Sequence, residues 1–222
     1  MSDTALTFGA TSGFGTFAGW ELQSDTPNTQ KDRANTLGPT GDEVSANLFN
    51  AKTEFTSVYK ASADTNTVPA SIGKLYNSRI LTSIALSTSN GDRATMTLTG
   101  HNHAANAHAD TLKQVAHGMT VTMCFGAIDF LGGTGTSGSA VASSSVTITC
   151  QHDDKMDNVG GHLIGQNYDA KMEGKTTWTG TVSVAAASGW DVTSNEVPTA
   201  NTDFITTSVT GTKPLTFAAP GV

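Results

Sequence analysis

The histidines are the residues whose types and spacing most suggest chemistry. His101, His103, His108 and His117 crowd one stretch of the chain, and His152 and His162 lie farther on. His101 and His103 stand at i, i+2, so on a strand their rings would project from one face. A third imidazole such as His108 could then complete a zinc or nickel site. Against this, the stretch 100–108 is rich in Asn and Ala and reads as a loop, with Asp110 the one nearby carboxylate to orient the rings. The bland reading is a polar loop whose imidazoles hydrogen-bond to backbone groups, and the expectation is that no metal is held there.

Other constellations point away from catalysis. His152, Asp153, Asp154 and Asp157 suggest a cation loop, but the acidic spacing is wrong for an EF-hand and no Glu closes it, so a solvated acidic turn is expected. Cys124 and Cys150 could form one disulfide; each lies in a β-branched run, where a buried reduced thiol is the ordinary outcome. No Gly-x-Ser-x-Gly elbow is present, and the Gly-rich run 132–138 lacks the lysine of a phosphate-binding loop. No catalytic residue and no cofactor are expected.

The elements that must carry these residues are strands. Hydrophobic residues make up 37% of the 222 and charged residues only 14%, against ~25% charged in ordinary soluble domains. The polar surface must therefore be built from Thr, Ser, Asn and Gly. The formal charge is −7, and no Lys/Arg cluster exists to neutralise a phosphate backbone, so tight nucleic-acid binding is not expected. Residues 1–20 lack a basic n-region and a continuous apolar h-region, so no conventional secretion signal is expected. The longest apolar stretch, 123–131, is broken by Gly126 and Asp129, and no membrane span is expected.

Ser/Thr/Gly punctuation alternates with β-branched runs, which predicts an all-β chain, a β-sandwich or barrel with one or two short helices and extended arms or loops. Residues 80–88 and 94–99 read as a hairpin about Asn90-Gly91, a pair suited to the positive φ of a tight turn. Within it Met96 and Leu98 face one side and Thr95, Thr97 and Thr99 the other. Further strands are expected at 120–125, 145–150, 175–184 and 204–210, and a helix at 109–117, where Leu112, Val115 and Ala116 recur at helical spacing before Gly118. The nearly pure Gly/Ser/Thr/Ala segment 132–144 reads as a flexible loop.

Residues 48–56 and 167–175 share an aromatic, then Asn or Asp, then Ala-Lys-x-Glu, and a Thr-rich strand with an aromatic follows each. This suggests a duplicated β unit: an arm at 1–19, a first unit at 20–131, the loop at 132–144, and a second unit at 145–222 that could form one composite domain with the first. In the arm and its junction, Phe8, Phe14, Phe17 and Trp20 carry too much aromatic surface for a free tail. They either fold back on their own domain or dock on a neighbour, and they are the candidate subunit-interface residues.

The run Gly19-Trp20-Glu21-Leu22-Gln23-Ser24, a polar stretch, Gly41-Asp42-Glu43-Val44-Ser45-Ala46 and then Phe49-Asn50-Ala51-Lys52-Thr53-Glu54-Phe55 resembles the opening of small structural proteins of tailed bacteriophages, tail tube (major tail protein-like) subunits among them. Residues 145–180 resemble the same layout again. The resemblance implies a β-sandwich or barrel with a flanking helix, arms reaching neighbours, and rings of identical subunits stacked into a tube that conducts DNA. It further implies a non-enzymatic virion protein assembled in the host cytoplasm, with itself and other phage structural proteins as partners and DNA only as passing cargo. An acidic, hydroxyl-rich lining suits a conduit, because it repels phosphate where a basic one would grip it. A capsid decoration or head-tail joining protein is the alternative. A metal-dependent enzyme centred on His101, His103 and His108 is the reading from another class.

Overall fold

The computed structural model describes residues 13–103, 112–132, 134–135, 140–156, 162–180, 182–183, 189–197 and 205–218. Among them the regular structure is all strand, with no helix. The strands are β1 (Trp20–Leu37), β2 (Glu43–Ala61), β3 (Ser71–Ile72), β4 (Leu75–Tyr76), β5 (Arg79–Ser89), β6 (Asp92–His103), β7 (Val115–Ala116), β8 (Thr134–Gly135), β9 (Ala140–Met156), β10 (His162–Thr179), β11 (Val182–Ser183), β12 (Asp191–Glu196) and β13 (Thr206–Pro214). Nine form one sheet in the order β1-β2-β6-β5-β9-β10-β13-β12, with β4 added to β5; β8 pairs with β11, and β3 with β7. Every pairing is antiparallel.

Alternation along the central strands explains why the sheet has a core face. Tyr59, Met96, Leu98, Ile84, Leu86, Val146, Ile148, Met172 and Val209 are all buried, each two residues from the next in its strand where a strand supplies more than one. Segments outside the long strands cover this face, contributing Phe14, Val68, Ile72, Val115, Val121, Phe130, Leu131 and Trp190 to the same cluster. The opposite face presents Thr95, Thr97, Thr99, Ser145, Thr147 and Thr149, all at least partly exposed. The hydroxyl-rich composition is thus concentrated on one side of a sheet. The sheet runs without a break from the first proposed unit into the second, because β5 pairs with β9 from Ser83–Thr149 to Ser89–Ser143.

Several expectations are corrected. Residues 112–117 are not helical: Val115–Ala116 pairs with Ser71–Ile72, and the β-branched Val115 is fully buried, so core insertion overrides the helical spacing; residues 109–111 lie outside the described residues. Residues 120–125 make only two isolated bridges, Asn66 with Val121 and Arg93 with Phe125. Residues 140–144 of the expected loop begin β9, and 134–135 form β8, since the neighbours Trp178 and Val182 provide ladders that need no bulky side chains; residues 133 and 136–139 lie outside the described residues.

The hairpin of β5 and β6 is where it was expected, closing at Ser89–Asp92, but neither Asn90 nor Gly91 adopts positive φ. A bulge between Ser87 and Ser89 accommodates the turn. The Asn90 side chain meanwhile bridges to the Val141 carbonyl at 2.9 Å and the Ala127 amide at 3.0 Å. Positive φ occurs instead at Asn77 and Ser78, the two residues between β4 and β5, as a tight primed turn requires.

Candidate functional site

Two hairpins extend past the body of the sheet. In the first, β6 pairs with β2 only from Lys52 to Lys60. The outer residues 31–51 therefore pair only with each other among the described residues. Near its tip Leu37 is 63% and Val44 70% exposed. Its base is fastened by a buried ion pair. Arg79 Nη1 donates to Asp25 Oδ1 at 2.7 Å, Arg79 Nη2 donates to Asp25 Oδ2 at 3.0 Å, and Ser57 Oγ donates to Asp25 Oδ1 at 2.7 Å. Burial alone would raise the Asp25 pKa, but the Arg79 and Ser57 hydrogen bonds and the Arg79 charge outweigh it and hold the carboxyl below its usual value. The guanidinium also lies 3.8 Å from the Phe55 ring centre, a cation-π contact that a lysine would not reproduce in the same planar form.

The second hairpin projects in the same manner. Pairing of β5 with β9 ends at Ser83–Thr149, and pairing of β13 with β10 ends at Pro214–Lys171, leaving the arms 151–156 and 162–168 to each other among the described residues. Here a buried polar cluster forms where the sheet parts. The His101 ring from β6 lies 4.5 Å from the His152 ring of β9, although β5 separates those strands in the ladder. Pairing of β5 with β9 ends at Ser83–Thr149, before these residues; on its other side β5 runs so close to β6 that a Cβ at Gly100 would run into the Ile80 carbonyl. His152 Nε2 lies 2.7 Å from Asp154 Oδ1, and His101 Nε2 lies 4.0 Å from Asp154 Oδ2.

A further shell fixes the His152 tautomer. Asn167 Nδ2 donates to the Lys113 carbonyl at 2.8 Å, so its Oδ1 is the atom that faces His152 Nδ1 at 2.6 Å, and Nδ1 must carry a proton. Nε2 is thereby directed at Asp154. Burial would lower the His152 pKa, but the hydrogen bonds to Asp154 and Asn167 and the Asp154 charge more than offset this and raise it. A cleft of about 230 Å³ opens on the cluster, bordered by Lys52, Glu54, Thr99, Cys150 and Gln151. Lys52 and Glu54 pair with each other at 3.2 Å.

These positions revise the sequence reading. Residues 100–103 are strand rather than loop, and His101 is brought together with His152 and Asp154. The His103 side chain and all of His108 lie outside the described residues. The expected solvated turn at 152–154 is part of β9, with His152 and Asp154 only 6% and 13% exposed at their side chains; Asp157 lies outside the described residues. Cys124 and Cys150 are both free and buried. Burial pushes the Cys150 thiol up to about 12, leaving it protonated and unreactive at neutral pH.

Of the four aromatic residues singled out near the N-terminus, Phe14 and Trp20 are buried in the chain's own core. Phe17 packs edge-on against Tyr59 and Tyr76. The Phe14 amide donates to Tyr59 Oη at 2.9 Å, and that hydroxyl donates to the Gly15 carbonyl at 3.1 Å. Within the single chain these three residues fold back on their own domain; Phe8 lies outside the described residues. No family model and no curated protein sequence matches the chain.

Proposed function

We propose that this chain is a non-enzymatic structural subunit of a tailed-phage virion that assembles with copies of itself into the tail tube, a conduit for DNA. The observation that carries the reading is the outer half of the β1–β2 hairpin. An isolated two-stranded ribbon is marginal in water, and a long unpaired edge strand invites pairing with another chain. Residues 31–51 combine both features with exposed Leu37 and Val44. A neighbouring subunit supplies what the single chain leaves uncovered.

Net charge and surface chemistry support the same reading. A formal charge of −7 and a sheet face of Thr and Ser allow DNA to pass without being gripped. The subunit works in the virion, with other phage structural proteins as further partners, and needs no catalytic residue or cofactor.

Electron microscopy and analytical ultracentrifugation of the purified chain test the proposal. Rings or tubes are expected for the full chain. Replacing residues 29–53 by an Asn-Gly turn between the paired Asn28 and Glu54 should leave a folded monomer. Particles that bind a capsid surface without forming rings would favour the decoration alternative, and a full chain that stays monomeric at high concentration would refute self-assembly.

A further inference from the structure

We propose that His101, His152 and Asp154 form a binding site for one divalent transition-metal ion, zinc in type, that clips β6 to β9 across the intervening β5. This site is independent of the tube reading. One ligand atom from each residue can be chosen so that all three lie within 4.8 Å of one another. A tetrahedral zinc with bonds of about 2.0–2.1 Å holds its ligand atoms about 3.4 Å apart. His152 Nε2 lies 2.7 Å from Asp154 Oδ1 and His101 Nε2 4.0 Å from Asp154 Oδ2, so the side chains would have to turn to bring one carboxylate oxygen and both rings onto a single ion.

The donor set decides the class of ion. Two imidazoles and one carboxylate suit zinc and its neighbours and disfavour magnesium and calcium, which take oxygen ligands. The surroundings also fit. Asn167, itself fixed by the Lys113 carbonyl, holds the His152 Nδ1 proton and directs Nε2 inward, the role that a carboxylate or amide behind a metal-bound histidine usually plays. The adjoining cleft gives access and room for water as a fourth ligand, while Glu54 balances Lys52 at its rim. The ion would take the place of the proton between His152 Nε2 and Asp154, and three side chains from two non-adjacent strands would become one rigid joint.

The test uses the full chain, stripped with EDTA and dialysed. Isothermal titration should show close to one zinc per chain. The melting midpoint should rise by roughly 5–10 °C at zinc about a hundredfold above its Kd, with no rise in magnesium. Cobalt in place of zinc should give the visible absorption of a four-coordinate nitrogen and oxygen site. His101→Asn and Asp154→Asn should each weaken zinc by at least tenfold, and Asn167→Ala by about tenfold or more. Zinc bound equally well by folded His101→Asn would place it on other histidines and overturn the site. If a variant does not fold, the wild-type cobalt spectrum decides: no visible bands means that the cluster is only a histidine-aspartate ion pair.

Discussion

The two projecting hairpins have arms of similar length but are secured by different means. The β1–β2 hairpin is held at its base by Asp25, Ser57 and Arg79, and beyond that its arm residues 31–33, 35–37 and 43–46 are exposed. The β9–β10 hairpin is gripped where its projection starts, by His152 and Asp154 beside His101 and by Asn167 on the Lys113 carbonyl, while farther out Leu163 and Ile164 are about half exposed. Where a ladder ends on both sides, side-chain clusters decide whether an arm belongs to its own domain or is offered to another molecule. In the tube proposal the first hairpin, with no such cluster beyond its base, is the one offered.

Cutting the base clamp should have the largest effect. Asp25→Ala leaves the Arg79 guanidinium buried without its carboxylate and should destabilise the fold by about 3–5 kcal/mol in denaturant unfolding. The same clamp has a pH signature. Because the folded Asp25 pKa lies below its unfolded value, the unfolded chain binds more protons in that window. The contribution is complete above about pH 4 and is lost as pH falls through the folded value. Asp25→Asn should abolish that part of the acid-unfolding slope, measured as stability against pH.

Loosening the second hairpin should cost less. Asn167→Ala strands the Lys113 carbonyl and the His152 Nδ1 proton and should cost about 1–3 kcal/mol, with amide exchange accelerating in 151–168 before it does in the central strands. The smallest change in stability is expected at the first hairpin's tip. Leu37→Ser with Val44→Ser should alter unfolding free energy by no more than about 0.5 kcal/mol, yet reduce sedimenting assemblies. If the double variant assembles normally, the tip is not a subunit contact.

How much could be read from the chain follows the same division. Met96 and Leu98 alternating with three threonines announced a half-buried strand, because one face of β6 meets a core. The arms 24–37 and 151–156 carry no such pattern. Their Thr, Asn and Asp residues read as loop because the usual strand signal comes from burial of alternate residues. His101 and His152 were assigned to separate polar segments, since nothing local shows that a sheet fork will join them. The approach of β5 to Gly100 leaves only a glycine as its trace. The Asp25–Arg79 pair likewise has no signature at its wide spacing. The helical spacing at 112–116 misled because two strand residues in a covering segment can reproduce it.

The pairing of β2 with β6 also sets how the projecting hairpin bears a load. Ladder hydrogen bonds lie perpendicular to the strands, so a pull on the hairpin tip along its length is carried down the β2 backbone. It then meets the Lys52–Lys60 stretch against Thr95–His103 as shear, with all of those bonds strained together. A sideways pull on β1, whose one strand partner among the described residues is β2, opens its bonds one after another. The hairpin is therefore stiff under axial tension and weak to peeling, and an array of such subunits would resist stretching along the hairpins far better than lateral separation at that edge.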